Sequence, residues 1–91
     1  MEQIFEIRVN DVPGVLARVE SIFRRQRTPI RSFFFEKEDG RSAHLTVTAA
    51  ASGEGATFIR KQLMRLNDVH AVADPATAAP ESLFTFKEKT A

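Results

Sequence analysis

From residue 3 to residue 9 the chain alternates. Phe5, Ile7 and Val9 fall on one side and Glu6 and Arg8 on the other, the pattern of a half-buried strand. Asn10 and Asp11 lead into Pro13-Gly14, and proline's preset φ and missing N–H suit the opening of a helix. Leu16, Val19, Ile22 and Phe23 follow at helical spacing, with Arg24, Arg25 and Arg27 at the far end, where cations complement the helix dipole. Thr28-Pro29 ends the helix, because the residue before a proline avoids the α region. Residues 30–37, rich in Ile and Phe, predict a second strand. Asp39-Gly40 signals a hairpin turn. Residues 42–49 alternate as a third strand, with Ala43, Leu45, Val47 and Ala49 on one face. Ser52 or Glu54 starts a second helix that runs to about Asn67, with Ile59, Leu63 and Leu66 inward and Arg60, Lys61 and Arg65 outward. Residues 69–73 make a short fourth strand.

The order β-α-β-β-α-β predicts an α+β domain: a four-stranded antiparallel sheet with both helices on one face. It occupies residues 1–74. Residues 75–91 change in composition to a linker-like tail, in which Leu83–Phe86 could add an edge strand. Phe33, Phe34 and Phe35 stand in a row, so alternation puts rings on both faces of the sheet unless a bulge tucks all three inward. Each ring has roughly 150–250 Å² to bury. A chain of 91 residues also gains much from association, so a homodimer or larger assembly is expected.

Composition narrows the chemistry. The net charge of +1 leaves no strong footprint for nucleic acid or a membrane surface, and no apolar run approaches the ~18 residues of a membrane span. There are no cysteines, and Met1-Glu2-Gln3 does not open a signal peptide, so the cytoplasm is the expected location. His44 and His70 have neither a second histidine nor a carboxylate at ligand spacing, so no metal site is expected. Two other functions share this element order. Acyl-phosphate hydrolysis needs an arginine in a phosphate-cradling loop after the first strand, but here that loop is Asn10–Gly14 and Arg18 lies a turn into the helix. RNA recognition stacks bases on rings of the first and third strands, and residues 42–49 carry none. No catalytic residues are expected.

The segment Asn10-Asp11-Val12-Pro13-Gly14-Val15-Leu16-Ala17-Arg18-Val19 resembles the first loop and helix of ACT domains, in particular those of the small regulatory subunit of acetolactate synthase (acetohydroxyacid synthase). Ile30-Arg31-Ser32 is similar to that family's Ile-Glu-Ser in the second strand. Lys61-Gln62-Leu63-Met64-Arg65-Leu66-Asn67-Asp68-Val69 is similar to its Lys-Gln-Leu-x-Lys-Leu-x-Asp-Val. The resemblance spans about residues 4–74. It implies a ferredoxin-like fold whose domains pair side by side, with a branched-chain amino acid, chiefly valine, bound at the dimer interface near the first loop. It also implies stimulation of a catalytic subunit that uses thiamine diphosphate, Mg2+ and FAD, with no cofactor on this chain.

The candidate effector residues are Asn10, Asp11, Val12, Gly14, Val15, Leu16, Pro29 and Ile30. A ligand carboxylate could sit on the amides of Gly14 to Leu16 at the helix N-terminus, and Asp11 or Asn10 could accept from its ammonium. Equally, Asn10 or Asp11 could cap the helix while Gly14 makes the turn. The family's loop before strand two reads Gly-x-Asn-Ile, with its Asn on the ligand. This chain has Arg27-Thr28-Pro29-Ile30, and Pro29 offers neither a side-chain amide nor an N–H. With no second C-terminal domain, the chain resembles the short small subunits. The expectation is an activator with weak or absent valine feedback. The alternative is a stand-alone amino-acid sensor that regulates another metabolic enzyme.

Overall fold

The computed structural model describes residues 2–73 and the backbone of 86–88. Its elements run β1 (Glu2–Asn10), α1 (Val15–Arg25), β2 (Ile30–Lys37), β3 (Ser42–Ala50), α2 (Gly53–Met64), β4 (Val69–Ala73) and β5 (Phe86–Glu88). One antiparallel sheet takes the order β2-β3-β1-β4-β5. The expected ferredoxin-like α+β arrangement is present, and β5 extends it by pairing Ala73 with Phe86. The described part of the added strand is Phe86–Glu88. Leu83–Thr85, where it was expected to begin, lies outside the described residues, as does the rest of the tail except 86–88.

Register explains which side chains meet. Residues directly opposite in a sheet share a face. Phe33, Val47 and Phe5 form one row, and Phe35, Leu45 and Ile7 the next. Apart from Phe35, which stays exposed, these rows build the core with Val15, Val19, Ile22 and Phe23 of α1 and Ala56, Ile59 and Leu63 of α2, with Phe33 partly buried against it. Phe5 and Phe23 meet edge to face, with ring centroids 5.0 Å apart. The other face carries the row Phe34, Thr46 and Glu6. Phe34 is 68% exposed there, so the bulge between Ile30 and Ser32 does not tuck it inward. Among the described residues, no strand pairs with the outer edge of β2.

Arg60 departs from the outward position expected of it. Its guanidinium carbon lies 4.6 Å from the centroid of the Phe5 ring, and Nη2 donates to the Ile4 carbonyl at 3.4 Å. Cation–π attraction and a long aliphatic stem let an arginine lie along the core in this way. The start of α2 is as expected: Ser52 accepts from the Gly55 N–H at 2.9 Å. The hairpin turn is held by Asp39, whose Oδ1 accepts from the N–H groups of Arg41 and Ser42 at 2.7 and 2.8 Å.

Helix α1 ends in a Schellman motif. The Thr28 N–H bonds the Phe23 carbonyl at 2.9 Å and the Arg27 N–H bonds the Arg24 carbonyl at 2.9 Å. That places Arg27 at φ 54, the left-handed position that glycine usually fills. Arg27→Gly is expected to stabilise the domain by about 0.5–1 kcal/mol, since Arg27 is exposed and its backbone carries a cost of that order. Urea denaturation of the two chains measures it.

Candidate functional site

The loop between β1 and α1 is fixed from several sides. The Asn10 N–H bonds the Asp68 carbonyl at 2.8 Å, and the Asp11 N–H bonds the Arg41 carbonyl at 2.7 Å. Pro13 and Gly14 form a turn, and the helix begins only at Val15, with Gly14 at φ 84 as its N-cap. The expectation that Pro13 opens the helix is thus shifted by two residues. Neither Asn10 nor Asp11 caps it, because no side chain bonds the α1 N-terminus. The Val15 N–H reaches the Val12 carbonyl at 3.2 Å, whereas the Leu16 and Ala17 N–H groups have no acceptor among the described residues.

Gly14 answers two demands. An L side chain there would be strained at φ 84, and its Cβ would stand 3.1 Å from Nη1 of Arg18. That guanidinium is already engaged, with Nη2 donating to Asp68 Oδ2 at 2.5 Å. Asn10 Nδ2 donates to the other carboxylate oxygen of Asp68 at 3.3 Å, and His70 Nε2 donates to Asn10 Oδ1. A β-bulge makes the last contact possible. Arg8 pairs with Ala71 and Val9 with Val69, leaving His70 as the extra residue. The side-chain bond from Asn10, helped by Arg18, holds the Asp68 carboxyl below its ordinary value. Such a group contributes stability above its unfolded pKa, and the contribution is lost as pH falls through the lower folded value. Asp68→Asn is therefore expected to flatten the acid limb of the stability profile, measured by denaturation across pH.

The eight candidate residues divide. Asn10 has both ends of its amide committed to Asp68 and His70, so it does not await a ligand. Asp11 pairs with Lys37 Nζ at 3.4 Å. Val15 packs its side chain into the core and can offer only its backbone. Val12 and Leu16 keep exposed apolar surface. Leu16 lines a groove of about 440 Å³ with Ala17, Glu20, Ile30 and Phe33, between α1 and the edge strand β2. The groove continues past Glu20 and Ile30 into a second stretch of about 450 Å³ that includes Arg24, Arg27 and Pro29. Gly14–Leu16 and Pro29 thus mark opposite ends of α1, separated by about 16 Å at 1.5 Å per residue. One amino acid cannot touch both ends within one chain. Arg18, Asp68 and His70 gained no role from the sequence, although Arg18 and Asp68 stand inside two of the three segments that carry the resemblance.

Among the described residues, no group of three or more His, Cys, Asp or Glu is placed to hold a metal ion, and no helix is long and apolar enough to cross a membrane. The AHAS small subunit-like ACT domain model matches residues 5–71. The chain belongs to this ACT-domain family. No curated protein sequence matches it. The ACT domain of a GTP pyrophosphokinase from Chlorobium tepidum superimposes with a TM-score of 0.65 at 17% identity in the crystal, covering 79% of this chain and 94% of that one. The solution structure of the same domain gives 0.67 at 15% identity, covering 79% and 82%. A homoserine dehydrogenase from Thiobacillus denitrificans gives 0.57 at 17% identity, over 76% of this chain and 16% of that one. At these identities the likeness is one of fold. As an ACT domain of this type the chain is a regulatory module, and the Arg18–Asp68 ion pair joins two of the three segments that mark it.

Proposed function

We propose that this chain is the activating small subunit of acetolactate synthase in branched-chain amino acid biosynthesis. It is not an enzyme itself: it acts in the cytoplasm on a catalytic subunit that carries the thiamine diphosphate, Mg2+ and FAD. The observation that carries this reading is the match of the AHAS small-subunit family over residues 5–71. The edge of β2, unpaired among the described residues, and the open groove beside α1 support pairing with a second copy. A two-fold pair across that edge would bring Pro29 of one copy towards the Gly14 end of the other. Reconstitution tests the function. The chain is expected to co-elute with the catalytic subunit from the same organism and to raise its rate. The absence of both co-elution and stimulation would refute the reading and favour a sensor that serves another metabolic enzyme.

Valine is expected to bind weakly. Pro29 stands where the family has an amide side chain, and Asn10 is occupied within its own chain. Titration calorimetry on the purified chain checks this, and low-micromolar affinity would contradict it.

A further inference from the structure

We infer that the outer surface of the helix layer, centred on Phe58 and Arg25, docks an acidic protein surface. The inference rests on the regulatory-subunit reading above, in which the partner is the catalytic subunit.

Charge is distributed unevenly in this nearly neutral chain. Residues 15–27 and 53–68 together hold seven Lys and Arg against three Asp and Glu, while the remainder holds six against nine. Much of the basic excess lies outward and unengaged. Arg18 is tied to Asp68, Arg24 to Glu20, and Arg60 lies along the core. Arg25, Arg27, Lys61 and Arg65 are exposed and have no ion pair among the described residues. The layer therefore presents cations to whatever lies against it.

An apolar anchor stands in the same surface. Phe58 is 44% exposed on α2. Ile22, Arg25, Gln26, Phe58 and Gln62 line a shallow groove of about 90 Å³ between the two helices. A ring flanked by an arginine and two amides has the composition of an interface centre: aromatic residues and arginine carry most of the affinity where they are fully desolvated. Charge complementarity gives the partner carboxylates around an apolar contact. The sheet face of another copy is the other surface that could lie against this layer. That contact is head-to-tail, however, and would stack without closing. The groove beside β2 lies on the side of α1 away from Phe58, so self-pairing there leaves the Phe58 surface open.

Binding of the full chain to the purified catalytic subunit tests this, using wild type, Phe58→Ser and Arg25→Glu at about 50 and 300 mM salt. Each variant is expected to raise the half-saturating concentration about tenfold or more, with wild-type melting temperature and self-association. Wild-type affinity is expected to fall with salt. If wild type binds and both variants bind equally well, the inference is overturned and the regulatory reading stands. If wild type does not bind, the regulatory reading falls and the inference with it. Binding of random RNA that Arg25→Glu abolishes would overturn the inference by assigning the layer to nucleic acid. Concentration-dependent growth that Phe58→Ser abolishes would overturn it by assigning the layer to another copy. Arg25 is exposed, so its variant carries the test if Phe58→Ser does not fold.

Discussion

Phe23→Ala is expected to cost about 3–5 kcal/mol of folding stability, the range for removing a buried aromatic side chain. A domain of this length has about 5–14 kcal/mol in total, so the variant folds marginally. Phe23 is fully buried on α1 and meets the Phe5 ring edge to face at an interplanar angle of 87°. Phe5 in turn sits in the row with Val47 and Phe33 and lies under the Arg60 guanidinium. The Phe23 ring thus pins α1 to the centre of the sheet at the point where α2 also reaches it. Little can flow in to fill the gap, because the surrounding groups come from four elements. The expected fall in melting temperature is about 12–40 °C, at 4–8 °C per kcal/mol for a domain of this size. Phe23→Leu keeps most of the bulk and removes the ring geometry, a contribution of about 0.5–1.5 kcal/mol. Thermal and urea unfolding of both variants measure the two quantities. A melting temperature for Phe23→Ala within a few degrees of wild type would mean that α1 is not held through this ring.

This core was legible because period-two and helical patterns are local. Phe5, Ile7 and Val9, then Ala43, Leu45, Val47 and Ala49, all point where alternation puts them. What stayed hidden depends on pairs far apart in the chain or on backbone that residue type does not announce. Asn10 and Asp68 are 58 positions apart, and only the bulge at His70 turns that imidazole towards Asn10. Their meeting removes Asn10 from the ligand set that the local pattern gave it. Arg27 hides its left-handed position because arginine is a poor marker for one. The candidate effector residues were readable as a loop, a helix start and the lead into the second strand, but not as two ends of a groove about one helix length apart. A linear motif carries no distance between its ends.

His44→Leu is expected to destabilise the domain by about 1–3 kcal/mol, because it removes an imidazole N–H from a buried carboxyl group. The carboxylate is Glu6, which alternation puts on the bare sheet face but which is only 3% exposed. Its Oε1 accepts from His44 Nε2 at 2.5 Å and from Thr46 Oγ1 at 2.9 Å. Thr46 stands directly opposite Glu6 and His44 opposite Arg8, so the histidine reaches Glu6 diagonally across the two strands. The other ring nitrogen of His44 faces Glu38 at 3.9 Å, and Glu38 is itself bound by Arg8 Nε at 3.2 Å. Acidic and basic groups thus alternate across this part of the face. The cost comes from leaving a buried acceptor short of a donor more than from loss of packing, which a second variant separates. Glu6→Leu combined with His44→Leu removes both groups and is expected to recover most of the loss, as replacement of a buried pair by apolar side chains often does. Thr46→Val removes one neutral donor to the carboxylate and is expected to cost about 1–3 kcal/mol. Urea denaturation of the three variants at one pH ranks them. If His44→Leu lies within about 0.5 kcal/mol of wild type, as surface substitutions do, water takes the place of the imidazole and Glu6 is not desolvated.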